Sequence, residues 1–132
     1  MIQISRRMLL SATALLALGL PARAQQDVTD LAALNAAPEN GEMAMGAETA
    51  KVTVIEYASA TCPHCAAFHK DVFPTLKSEY IDTGKIRYVF REFPLNDAAL
   101  AGFMLARCAP KEKYFPIMDV VFGTLQEWTK DP

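Results

Sequence analysis

The sequence predicts an α/β fold, and three stretches carry that prediction. Val52-Thr53-Val54-Ile55-Glu56-Tyr57-Ala58 is a compact β-branched run, as expected of a strand covered on both faces. In Ile86-Arg87-Tyr88-Val89-Phe90-Arg91 the residues Ile86, Tyr88 and Phe90 alternate with their neighbours, which marks a second strand that Pro94 stops. Between them Phe68, Val72, Phe73, Leu76 and Tyr80 follow helical spacing, with Pro74 placed to kink or restart the helix. A strand–helix–strand crossover of this length implies parallel pairing.

The ends of that crossover and the segments around it follow the same logic. Gly84 in Asp82-Thr83-Gly84 suits a left-handed cap. Beyond Pro94 the pattern is wholly helical. Asn96 or Asp97 can cap a helix carrying Leu100, Phe103, Met104 and Cys108, which ends at Pro110. Tyr114, Met118, Val121, Phe122, Leu125 and Trp128 mark a further amphipathic helix. Residues 25–50 are rich in Ala, Asn, Glu and Gly and read as a flexible lead-in, with a short helix over Asp30 to Ala37.

The N-terminus reads as an export signal. Ser5-Arg6-Arg7 gives a positive start, Met8 to Leu20 is apolar, and Pro21-Ala22-Arg23-Ala24 offers a small-x-small cleavage pattern after Ala24. The apolar run has 13 residues, whereas a membrane span needs about 20. Arg6-Arg7 before Met8-Leu9-Leu10 also fits a twin-arginine signal. Three of the 13 Lys and Arg fall in residues 1–24 and all 15 Asp and Glu lie beyond them, so the mature charge is −5, ten against fifteen. No basic cluster survives, which argues against a nucleic-acid partner. Export puts the cysteines where disulfides form and persist.

Cys62-Pro63-His64-Cys65 is the candidate site. It is a CxxC that follows a buried strand and opens a helix. Residues three apart in a first helical turn have Cβ atoms about 5–6 Å apart, near what a disulfide bridges. A bridge enclosing two residues adds little loop-closure stabilisation, so the pair suits opening and closing better than stapling. Cys62, at the helix N-terminus, meets unpaired N–H groups and the positive end of the helix dipole and is expected to be the attacking thiolate. Cys65, one turn inside, is the resolving thiol. Stabilising the Cys62 thiolate stabilises the reduced form and makes the disulfide a strong oxidant.

His64 can hydrogen-bond to the Cys62 sulfur or direct charge toward it. Pro63 supports the turn, because its missing N–H would be unpaired there anyway. By strand alternation Glu56 shares a face with Val52, Val54 and Ala58, so its carboxylate is expected to be partly desolvated and able to shuttle a proton for Cys65. The electrons are carried by the cysteine pair, so no cofactor is expected. A rival reading takes Cys62, Cys65, His69 and Cys108 as zinc or copper ligands, but only one CxxC is present.

The segment Val54-Ile55-Glu56-Tyr57-Ala58-Ser59-Ala60-Thr61-Cys62-Pro63-His64-Cys65 resembles the active-site segment of DsbA-type periplasmic oxidases. Phe68-His69-Lys70-Asp71-Val72-Phe73-Pro74 and Arg91-Glu92-Phe93-Pro94 fit as well. The resemblance covers roughly residues 43–132 and implies a thioredoxin-like fold over 51–132, with a helical insertion beginning at 94. It also implies a periplasmic location, cysteine-containing exported polypeptides as substrates, and reoxidation by a membrane partner of the DsbB kind. The family pattern continues with two more strands, a cis-proline loop and a helix, and these C-terminal elements are expected to be missing from this chain. An inactive remnant is therefore the alternative to an active oxidase. Some DsbA-like relatives carry a second disulfide from the Cys108 region to a later helix. A missing partner and a buried free thiol both remain open for Cys108.

Overall fold

The computed structural model describes residues 30–130. The expected export signal at 1–24, its twin-arginine pattern and the first residues of the 25–50 lead-in lie outside the described residues. The chain divides into two units, residues 1–36 and 37–132. The described part of the first holds helix α1 (Leu31–Asn35), which Asp30 caps by accepting from the N–H groups of Ala32 and Ala33 at 3.0 and 3.2 Å.

The second unit is built on a three-stranded sheet in the order β1-β3-β2, with β1 at Met43–Met45, β2 at Val52–Ala58 and β3 at Ile86–Glu92. β2 and β3 pair in parallel, with Val52 opposite Ile86 and Ala58 opposite Glu92. β1 adds a strand to a segment read as a flexible lead-in with one short helix, and a third strand to the two expected. It pairs antiparallel with β3, Met43 opposite Phe90 and Met45 opposite Tyr88. Three residues without a β-branched side chain carry no strand signal of their own; the unpaired edge of β3 supplies the template. Gly46 makes the turn away from β1 possible. Its φ is +87°, and a Cβ there would lie 2.5 Å from the Ile86 carbonyl oxygen.

Between β2 and β3 run α2 (Pro63–Asp71), α3 (Phe73–Leu76) and a π turn over Lys77–Ile81. The break falls at Val72, ahead of Pro74, as the missing proline N–H requires. The π turn shifts the helical register, so that Ile81 is buried and Tyr80, expected on the apolar face, is exposed. Val72, also expected there, is exposed at the break between α2 and α3. Gly84 closes the segment at φ +73°.

The helical part follows β3 as α4 (Asp97–Arg107), a 3-10 turn (Lys111–Lys113), α5 (Tyr114–Gly123) and α6 (Leu125–Trp128). Asn96 is the α4 cap, accepting from the Ala99 N–H at 2.8 Å. The buried stripe of α4 is Ala99, Gly102, Phe103 and Ala106, whereas Leu100, Met104 and Cys108 are exposed. Small residues win this face because the neighbours stand close. A Cβ on Gly102 would lie 3.2 Å from that of Ala60 and 3.6 Å from Val121 Cγ1. On α5 and α6 the expected face holds, with Tyr114, Met118, Val121, Phe122 and Leu125 buried.

β3 is the spine of the core. Tyr88, Val89 and Phe90 are all buried, and the Phe90 ring lies within 6.0–6.3 Å of His69, Phe103, Tyr114 and Phe122. The polar end of β3 is also tied down. Glu92 accepts from Arg107 Nε at 2.6 Å and from the Tyr114 hydroxyl at 2.7 Å, while Arg107 also donates to the Asn40 and Gly41 carbonyls. These bonds hold the junction between α4 and α5 against the C-terminal end of β3.

Candidate active site

The site grows out of the turn between β2 and α2. After Ala58 the chain crosses Ser59, Ala60 and Thr61, with Ser59 and Ala60 buried, and the Cys62 N–H donates to the Ser59 carbonyl at 3.0 Å. Thr61 Oγ1 donates to Asn96 Oδ1 at 3.3 Å, and the Leu95 N–H donates to Ser59 Oγ at 3.4 Å. Asn96 thus caps α4 and steadies the approach to the cysteines at once.

Cys62 is the N-cap of α2 and Pro63 is its first residue. The Cys62 sulfur accepts the Cys65 backbone N–H at 3.4 Å, a bond of the kind an N-cap side-chain oxygen usually receives. Both cysteines are unbridged and partly buried. Their acidities are pushed apart. Cys62 sits below the usual thiol range, chiefly because the Cys65 thiol donates to its sulfur. The backbone N–H groups of Cys65 and His64 add to this, against the opposing effect of burial. Cys65 is pushed up, first by burial and then by the bond it donates to Cys62, with the charges of Cys62 and Glu56 adding. The thiolate therefore belongs at Cys62 and the proton at Cys65.

His64 differs from the expectation in one respect. It reaches Cys62 through its backbone N–H, while its side chain is exposed and makes no hydrogen bond among the described residues. A residue at the second position of a helix points its amide along the axis toward the cap and its side chain outward, which accounts for the split.

Glu56 reaches the α2 face that carries Cys65, because it meets His69 one turn further along that face, and its charge helps to raise the Cys65 thiol. Its side chain is 16% exposed. It is not alone there. Glu56 Oε2 lies 3.2 Å from His69 Nε2 and accepts the Tyr88 hydroxyl in a short hydrogen bond. The sequence reading missed both partners. His69 follows Cys65 by four residues, so the two share a helix face, which is the signal that could have found it. Tyr88 looks like any core residue of an alternating strand. Burial, followed by the bond to Glu56, pushes its hydroxyl far above the usual phenol range, so it remains a donor.

The rival metal reading finds no cage. Among the described residues no three His, Cys, Asp or Glu side chains converge on a point. His69 faces Glu56, and Cys108 is exposed at the end of α4. The buried-thiol alternative for Cys108 is corrected by the same exposure; it fails because the α4 stripe that packs inward runs through Ala106.

A parallel strand pair and a CxxC capping the intervening helix together define a thioredoxin-like fold with a paired-thiol site at the helix N-terminus. Residues 39–132 match the thioredoxin family model, and the chain belongs to that family. It is 40% identical over 92 residues to the "Putative protein-disulfide oxidoreductase" of Rickettsia bellii, covering 69% of this chain and 36% of the relative. It is also 36% identical over 50 residues to the disulfide bond formation protein D of Bacillus subtilis, covering 38% of this chain and 22% of that one. Among solved structures it resembles α-DsbA1 of Wolbachia pipientis with a TM-score of 0.65 and 42% identity, over 70% of this chain and 47% of that one. The likeness is of the DsbA type, and the fold is the expected thioredoxin-like α/β fold with a helical insertion. The chain spans about half the length of the solved relative or less, and about a third of the Rickettsia one.

Proposed function

We propose that this chain is a protein-disulfide oxidoreductase that donates its Cys62–Cys65 disulfide to cysteines of exported polypeptides. The observation that carries this reading is the CxxC at the N-terminus of α2, where the Cys62 sulfur caps the helix and accepts the Cys65 N–H at 3.4 Å. A substrate thiolate attacks Cys62 Sγ, the Cys62–Cys65 bond breaks, and its electron pair goes to Cys65 Sγ, which takes up a proton. A second substrate thiolate then attacks the substrate sulfur of the mixed disulfide. Cys62 leaves as a stabilised thiolate, the substrate is oxidised to a disulfide, and the pair is left reduced. Pro63 stiffens the turn and Glu56 serves the proton step at Cys65. His64 contributes its backbone N–H, with its exposed ring at the rim where substrate arrives.

The leader pattern at 1–24 supports a periplasmic location in this reading, with renewal of the disulfide by a membrane oxidant of the DsbB kind. Alkylation of the reduced protein at about pH 5, well below the usual thiol range, tests the site assignment. Mass mapping should find the label on Cys62 while Cys65 stays unmodified. Label on Cys65 first would reverse the roles of the two thiols.

A further inference from the structure

The Glu56 carboxylate is held at one oxygen only. His69 Nε2 and the Tyr88 hydroxyl both meet Oε2, and neither touches Oε1. Nor is Oε1 a buried atom without a partner, so the space in front of it is open to water or hydrogen-bonded. The His69 side chain is 5% exposed. Its ring stacks on Phe122 with centroids 4.3 Å apart and planes at 21°, and the Phe73 ring lies 4.7 Å away. Side chains on both sides prevent the imidazole from swinging out. His69 Nδ1 is buried with no hydrogen-bond partner among the described residues. The tautomer that makes a bond therefore carries its proton on Nε2, toward Glu56. A phenylalanine would stack as well and leave no orphaned nitrogen. The histidine thus carries a local cost that packing alone does not explain.

We propose that His69 and Tyr88 are positioning residues for the redox reaction, clamping Oε2 of Glu56 so that Oε1 is the oxygen that exchanges a proton with Cys65. This rests on the oxidoreductase reading above. In the oxidising direction, attack on Cys62 breaks the disulfide and leaves the electron pair on Cys65 Sγ. A proton passes from Oε1 to that sulfur, directly or through one water, and Glu56 is reprotonated from solvent. On reoxidation the Cys65 thiol returns its proton to Oε1 as its sulfur forms the new bond to Cys62. Of the titratable groups around Glu56, His69 of α2 and Tyr88 of β3 bond to it, and Cys65, one turn before His69 on the same face of α2, feels its charge. Asp119 of α5 acts on Tyr88, and it lines with Lys70 and His69 a cavity of about 520 Å³.

The test is the pH profile of thiol–disulfide exchange with a model dithiol peptide, measured on the full chain. His69→Phe keeps the ring stack and removes the donor; His69→Gln keeps a donor; Tyr88→Phe removes the second clamp. General acid–base assistance is worth about 10²–10⁴-fold when complete, and loosening one clamp should forfeit part of it. His69→Phe and Tyr88→Phe should slow the Cys65 step about 3–10-fold, a part of that range, and displace the profile. His69→Gln should recover most of the rate. In a Glu56→Gln background His69→Phe should add nothing, because the two act through one carboxylate. Low-pH alkylation of Cys62 should be unchanged in every variant, which shows that the site is folded. An unaltered profile in His69→Phe, or an equal loss with and without Glu56, would overturn the clamp. A parent chain that exchanges with no dithiol would instead sink the oxidoreductase reading.

Discussion

Replacing Cys62 by serine should abolish disulfide transfer, while replacing Cys65 by serine should trap the protein on its substrate. The two thiols sit one turn apart in the same helix, yet the pKa is lowered at Cys62 and raised at Cys65. Without Cys62 the remaining thiol is raised by burial and lies inside the turn, so attack falls by on the order of 10³-fold or more, as for loss of other catalytic nucleophiles. Without Cys65 the first attack still occurs on a Cys62 that has been oxidised by a small disulfide. A mixed disulfide with a single-cysteine peptide then has neither a second substrate thiol nor Cys65 to resolve it. Non-reducing electrophoresis with a single-cysteine peptide should show a stable adduct for Cys65→Ser and none for Cys62→Ser. Adducts in both variants, or in neither, would contradict the division of labour.

The second large effect is on stability. Phe90→Ala removes the ring at the centre of β3, which is 1% exposed and faces four other rings from α2, α4 and α5. Large-to-small changes of this kind cost about 3–5 kcal/mol, out of roughly 5–15 kcal/mol for a typical domain. Most of the stability should go, and the His69 ring that packs on Phe90 should loosen with it. Leu100→Ala is the control. Leu100 is 47% exposed, and a surface change of that sort should stay within about 0.5 kcal/mol. Denaturant midpoints should separate the two variants widely. A Phe90→Ala protein that melts like the parent would show that the core lies elsewhere.

Much of this molecule could be read from its sequence, and the exceptions share a cause. β2, β3, the CPHC turn and the α5 face are local patterns, each set by residues adjacent in the chain or one turn apart. The cover expected on both faces of β2 is not found, however: Val52, Thr53 and Tyr57 are exposed and only Ala58 is buried. β1 was not legible, because Met43-Ala44-Met45 becomes a strand only by pairing with β3. The face of α4 was misread for the same reason. Leu100 and Met104 are the larger apolar residues, but the close approach of Ala60 and Val121 to Gly102 selects the small-residue stripe. At the site, Glu56 could be placed by strand alternation, whereas its partners are three-dimensional facts. His69 and Tyr88 lie 13 and 32 residues away in sequence and meet at one oxygen. His64 shows the opposite error, a residue placed correctly whose backbone rather than side chain makes the contact.

The central claim is that the fold stabilises the Cys62 thiolate and so favours the reduced pair. Linkage gives the sign: whatever lowers the Cys62 pKa stabilises the dithiol relative to the disulfide and raises the reduction potential. The direct measurement is the equilibrium of the Cys62–Cys65 pair against a glutathione redox buffer, followed by mass or by alkylation. A half-reduced point more oxidising than about −200 mV, in the range of disulfide donors, is the predicted result. A potential near the roughly −270 mV of reducing thioredoxins would contradict it.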